Sequence, residues 1–128
     1  LSDAYPYKLF SSEVEKSKNS IITFLLENRA KGRKVFGYGA ASKASTLLNY
    51  CGIRDDLISC IIDEAPSKQG KYIPGANIPI VSPDILKNEK PDVFIIFAWN
   101  IRDELKSHIL KYVNDVPVYV LLPRVECV

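Results

Sequence analysis

Two hydrophobic periods alternate along this chain. From Tyr7 to Lys31 apolar residues recur at helical spacing, at Phe10, Val14, Ile21 and Leu25, with Ser17 filling the missing step. Charged residues fall mostly on the other face, as in an amphipathic helix, and Gly32 supplies a stop. The period then shortens. Lys34 to Gly37 predicts a strand, and Ala40 to Cys51 a helix with Ala40, Ala44, Leu47, Leu48 and Cys51 along one face and Gly52 ending it. Leu57 to Ile62 predicts a second strand, apolar on both sides except for Ser59, the pattern of a strand covered on both faces.

Residues 64 to 77, "EAPSKQGKYIPGAN", carry two prolines, two glycines and two lysines and read as a long ordered loop. Ile78 to Val81 is a short third strand. Ser82 as cap and Pro83 at the first position open a short helix. Asp92 to Ala98, with "VFIIF" at its centre, is a fourth strand. Asn100 is expected to cap a helix running to about Val113, with Asp103 and Glu104 in its first turn, where the helix dipole favours acidic groups. Val116 to Leu122 is the fifth strand, closed by Pro123, and there is no internal repeat or low-complexity segment.

Alternation of this kind predicts an α/β fold, a Rossmann-like open parallel sheet of about five strands with helices on both faces. Right-handed crossovers favour the order 3-2-1-4-5. The 128 residues form a single domain, a leading helix over 1–32 beside strand 1 and an α/β core over 33–128.

Composition narrows the partners. A formal charge of +2, with no basic run interleaved with aromatics, argues against nucleic acid. No apolar run has the length of a membrane span, and no signal peptide opens the chain. Cys51, Cys60 and Cys127 lack metal or redox spacing, and His108 is the only histidine, so a zinc site is not expected. These are expected to be reduced thiols of a cytoplasmic protein, two of them in the core. The chain starts at Leu1 without a methionine, as a fragment of a longer protein would.

In an open α/β sheet the ligand crevice lies at the carboxyl ends of the strands, where strand order reverses. That rule brings together "GYGAASK", "DEAPSKQG" and "AWN". Gly37 and Gly39 allow a sharp turn and a close approach, and the amides of Ala40 to Lys43 face outward from a helix start that favours anions. Ser42 and Lys43 add a hydroxyl and a cation for phosphate oxygens. Packing of helix on strand demands small residues here too, and stands as the alternative. Asp63 falls where an acidic side chain accepts from ribose hydroxyls, or caps its own loop. Lys68 and Lys71 flank Gly70, within reach of an anion or simply solvated. Trp99 is placed to stack on a ring or shape a domain contact, and Asn100 follows it. His108, between Leu105 and Ile109, is expected to be structural and far from the crevice. No nucleophile, acid–base pair or metal site stands out, so the residues indicate binding rather than catalysis.

"GYGAASKASTLLNYCGI", "IIDEAPSKQGKYIPGANIPI" and "PDVFIIFAWN" closely resemble the C-terminal domain of sugar C-methyltransferases. These enzymes join a small zinc-binding N-terminal domain, a central S-adenosylmethionine domain and a Rossmann-like C-terminal domain. They methylate a ring carbon of a nucleotide-linked keto-deoxysugar. The resemblance runs from about Arg33 to Pro123, and "KQGKYIPG" is its most specific part. In this family the first loop reads GYG-A-x-x-K, which accounts for Ser42 and Lys43 where a dinucleotide fingerprint expects otherwise. The resemblance implies that the domain faces the central methyltransferase domain of the same polypeptide, with a nucleotide-diphosphate sugar near the junction. Gly37, Gly39, Ala40, Ser42, Lys43, Asp63, Lys68, Gly70, Trp99 and Asn100 are then candidates to contact the substrate or the neighbouring domain. It implies no cofactor in this chain; S-adenosylmethionine and zinc belong to the missing parts, and the chain alone is expected to be inactive. The rivals are an NAD(P)-type dinucleotide domain, disfavoured by Ser42, and a non-binding scaffold. A site for S-adenosylmethionine in the loop itself is disfavoured because no acidic residue precedes Gly37 on strand 1.

Overall fold

The structure, a computed structural model, describes the backbone of residues 4–39, 42–122 and 124–128, and the side chains of these from Glu15 onward except at Ser42 and Lys43. The expectations placed on Ala40, on Pro123 and on the side chains of Phe10, Val14, Ser42 and Lys43 lie outside the described residues.

Helix α1 spans Ala4–Ala30 and helix α2 Ser42–Cys51. Both end in the same way. After α1 the Gly32 N–H donates to the Arg29 carbonyl and the Arg33 N–H to the Asn28 carbonyl; after α2 Gly52 and Ile53 repeat this onto Asn49 and Leu48. Gly32 (φ +69°) and Gly52 (φ +70°) supply the left-handed residue on which this double cap depends.

Six strands form one sheet: β1 (Val35–Tyr38), β2 (Cys60–Ile62), β3 (Ile80–Val81), β4 (Val93–Ile96), β5 (Val118–Val120) and β6 (Glu126–Cys127), in the order β3-β2-β1-β4-β5-β6. The first five are parallel, as expected. The sixth, which the sequence did not announce, runs antiparallel to β5, with Tyr119 opposite Cys127 and Val120 opposite Glu126. This is the Rossmann-like α/β sheet extended by one edge strand.

Register and alternation divide the interior in two. Phe36 stands beside Cys60 and Phe94, and Phe94 beside Val118, so one face carries Phe36, Tyr38, Cys60, Ile62, Phe94, Ile96, Val118 and Val120. Helix α3 (Arg102–Leu110) covers that face through Ile109. The other face carries Val35, Ile61, Val93, Ile95 and Phe97 against Ile21 and Leu25 of α1 and Leu47 and Leu48 of α2. Helix α1 also reaches past strand 1 to β5, where the Phe24 and Tyr119 ring centroids lie 4.7 Å apart. Cys51 and Cys60 are buried, and burial pushes the Cys60 thiol up to about 12, far from a reactive thiolate.

Several elements are shorter than their apolar runs. Leu57 and Ile58 belong to a turn whose amides bond the Arg54 carbonyl, yet Ile58 is fully buried from there. A short 3-10 helix over Trp99–Ile101 precedes α3, closed by the Ile101 N–H on the Ala98 carbonyl. Asn100 therefore sits inside that turn rather than at the helix entrance, and α3 starts after Ile101 with no side-chain cap. This corrects the capping role expected of Asn100. Ser82 does cap, accepting from the Asp84 N–H at 3.2 Å, but the helix it opens, Pro83–Lys87, is 3-10. No helix among the described residues is long and apolar enough to cross a membrane.

The segment "KQGKYIPGAN" is a folded clasp. The Ile80 N–H bonds the Lys71 carbonyl, the Gly70 N–H the Ile80 carbonyl, and the Ile73 N–H the Ile78 carbonyl. Ile73, Ala76 and Ile78 are buried with α2. Asn49 on α2 holds the turn, its amide donating to the Pro74 and Ser45 carbonyls, each at 2.8 Å. Asn49→Ala is expected to lower stability by about 1 kcal/mol, read as a reduced urea midpoint at unchanged slope.

Candidate functional site at the carboxyl edge of the sheet

The carboxyl ends of β1, β2 and β4 carry Gly39, Asp63 and the Ala98–Trp99 pair, and β1 lies between β2 and β4, where strand order reverses. Gly37 is different. It lies within β1 and is buried, and a Cβ there would stand 2.6 Å from Phe97 Cε2 and 2.9 Å from Ile61 Cγ1. Close packing therefore accounts for this glycine. The Gly39 N–H is committed to the Ile62 carbonyl at 2.7 Å, and Leu105 of α3 packs 3.6 Å from where its Cβ would be. Helix α2 begins three residues later, at Ser42.

Asp63 organises its own loop. Its Oδ1 accepts from the Ala65 N–H at 2.8 Å, its carbonyl accepts from Gln69 Nε2 at 2.8 Å, and Lys68 Nζ lies 3.8 Å from Oδ2. Asp63 and Lys68 thus come together as a pair at the base of the loop, while Gly70 gives its N–H to Ile80 on the sheet edge. Trp99 is half-buried against the α3-side core, and Asn100 is exposed. These two and residues 101–104 line a groove of about 420 Å³.

A second groove, of about 500 Å³, lies at the opposite edge, where α1 meets the amino ends of the strands. Phe24, Asn28, Arg33, Asp92, Pro117 and Tyr119 are among its walls. It is remote from the three segments that carry the unusual residues. The carboxyl edge is the better candidate because the loops there meet where the crossovers diverge.

The polar centre of that edge is a carboxylate that sequence patterns do not mark. Glu64, next to Asp63, accepts from Tyr38 Oη at 2.9 Å on Oε2, and from Tyr112 Oη at 3.3 Å on Oε1. His108 Nδ1 lies 2.9 Å from Oε2. His108 is thus not remote: Leu105 and His108 of α3, and Tyr112 in the turn just after it, run from Gly39 to Glu64. The partners lie 26 to 48 positions from Glu64 along the chain, so no local motif records them.

Electrostatics follow the geometry. The Tyr38 hydroxyl bond does most to hold the Glu64 carboxyl below its ordinary value; burial opposes it, and His108 and then Tyr112 add to the lowering. Burial first and then Glu64 push the Tyr38 phenol well above its usual range, and the Tyr112 phenol moves the same way. A depressed carboxyl stabilises the fold above its unfolded value and loses that contribution as pH falls through its folded value. The wild-type chain is therefore expected to lose more stability than Glu64→Gln between about pH 6 and pH 3 in denaturant titrations. Equal losses would refute the assignment. The effect is modest, since the Glu64 side chain is 46% exposed. Among the described residues, no three His, Cys, Asp or Glu side chains are gathered to hold a metal ion.

Residues 1–122 match the family model described as the C-methyltransferase C-terminal domain. The C-methyltransferase NovU of Streptomyces niveus is 36% identical over 99 residues, which is 77% of this chain and 24% of that relative. The chain spans about a quarter of the length of the curated relative it matches.

Proposed function

This chain belongs to the family of C-methyltransferase C-terminal domains, and we propose that its carboxyl-edge crevice binds a nucleotide-diphosphate sugar and docks on the central domain of the same polypeptide. The observation that carries this reading is the meeting of Gly39, Asp63 and Trp99 at the strand-order reversal, with α2 starting directly after the first loop. The amides of Ala40 to Lys43, with Ser42 and Lys43 themselves, are the proposed phosphate seat. Asp63, Lys68 and Gly70 would border it on the β2 side, and Trp99 and Asn100 on the β4 side. Gly37 acts behind them, by letting Phe97 close over the strand.

In the parent enzyme, S-adenosylmethionine would supply the methyl group, and zinc would sit in a part of the polypeptide outside this chain. A base in those parts would take the proton from a carbon made acidic by the neighbouring carbonyl. This domain's contribution would be to hold the sugar in position for that step; alone it is proposed to be inactive.

One observation favours a second reading, a scaffold. Gly37 is explained by packing and the Asp63 carboxylate by its own loop. Thermal shift separates the two. A ligand at a hundred times its dissociation constant stabilises by about 2.7 kcal/mol. Thymidine or uridine diphosphate sugars are expected to raise the midpoint, and NAD(P) to leave it unchanged. In the full-length enzyme Lys43→Ala is expected to weaken nucleotide-sugar binding roughly tenfold, as loss of a charge-assisted phosphate contact would. Unchanged affinity would remove the phosphate seat.

A further inference from the structure

We propose that His108, held by Glu64, recognises a hydroxyl group of the bound ligand's sugar through its Nε2 atom. The inference deepens the nucleotide-sugar reading and rests on it.

Glu64 gathers the Tyr38 and Tyr112 hydroxyls and His108 Nδ1 on its two oxygens. An ionised carboxylate accepts and never donates, so all three partners must be donors. The proton of a neutral His108 ring is thereby fixed on Nδ1. Nε2 is left as a lone pair, and among the described residues it has no partner. The ring is 34% exposed and is carried by the α3 face that packs at Gly39 and ends over Glu64.

An oriented acceptor of this kind selects a donor. Phosphate oxygens are acceptors and would meet this lone pair unfavourably, whereas a sugar hydroxyl donates to it directly. The two tyrosines strengthen the selection. They hold the Glu64 carboxylate in the orientation that presents Oε2 to His108 Nδ1, and Tyr38 is anchored in the core below. Asp63 and Lys68 pair with each other on the β2 side, and Asp84 approaches Tyr112 from the segment after β3.

His108 is the only histidine, so its ring nitrogens can be read without assignment in a long-range proton–nitrogen NMR spectrum. At about pH 8, above the ordinary histidine range, the free chain is expected to show Nδ1 protonated and Nε2 bare. Glu64→Gln is expected to mix or reverse the two forms. Adding thymidine diphosphate glucose should then move Nε2. If thymidine diphosphate moves it equally, the recognised hydroxyl belongs to the nucleoside sugar; if only the glucose conjugate does, it belongs to the hexose. Either result supports the proposal. A protonated Nε2 in the free chain would overturn it, as would a shift caused by inorganic pyrophosphate. So would an unmoved Nε2 while the Gly39 and Asp63 amides respond, and in that case the nucleotide site itself survives. If no amide responds to any of these compounds, the nucleotide-sugar reading fails and this contact fails with it. In the full-length enzyme His108→Phe is expected to weaken nucleotide-sugar binding roughly three- to tenfold, with pyrophosphate affinity unchanged.

Discussion

Gly37→Ala is expected to destabilise the domain by about 1–3 kcal/mol, read as a lower urea midpoint. The added carbon would stand 2.6 Å from Phe97 Cε2 and 2.9 Å from Ile61 Cγ1, and real Cβ atoms do not come that close. Neither neighbour has room to retreat: Phe97 is 1% exposed and Ile61 fully buried. The strand cannot slide either, because β1 is bonded on both sides, to β2 and to β4. An alanine also restricts the unfolded chain, which by itself would stabilise by about 0.4–1 kcal/mol. The steric cost exceeds that gain, so the sign is negative. If this glycine served only a ligand, the same change would lower affinity at constant stability. A midpoint that stays or rises would return Gly37 to the phosphate loop.

That test shows how far a glycine motif can be read from sequence. "GYG" announced a tight passage after a strand, and the passage is there. What the letters do not reveal is which face each residue takes. Alternation along β1 turns Gly37 toward Phe97 and Tyr38 toward α3, and the strand begins one residue later than the apolar run suggested. The buried parallel strands were legible because "VFIIF" and "CII" are apolar on both faces, which only a doubly covered strand tolerates. Strand β6 was not, since Glu126 and Cys127 are exposed and carry no alternation; the backbone of β5 recruits them.

The candidate site divides along the same line. Asp63 and Trp99 could be placed from their positions at strand ends, a consequence of topology alone. Glu64 and His108 could not. Their relation depends on α3, which follows the 3-10 turn at Trp99–Ile101, bringing His108 to the residue just beyond the end of β2. Read along the chain, His108 is merely a residue between Leu105 and Ile109. Only the folded molecule sets it beside a carboxylate 44 positions earlier.

Phe94→Ala is expected to cost about 3–5 kcal/mol, a large share of the roughly 5–15 kcal/mol typical of a domain. Phe94 is fully buried in β4 and meets the Phe36 ring edge-on, with centroids 6.5 Å apart at 77°. Its removal opens a cavity in the core that seats Ile109, and with it α3. The other face is packed separately, by Leu48 and its neighbours against Ile61 and Ile95. Leu48→Ala is expected to cost a comparable 2–5 kcal/mol. The two variants should differ in place rather than size. In hydrogen exchange, Phe94→Ala should expose α3 amides ahead of α2, and Leu48→Ala should do the reverse. Because α3 carries His108 and leads into Tyr112, the first variant should also release the histidine from Glu64 in the still-folded chain, visible as mixing of its two ring forms. Identical exchange patterns would mean that the two cores open as one unit, and that the carboxyl-edge cluster is no less stable than the sheet beneath it.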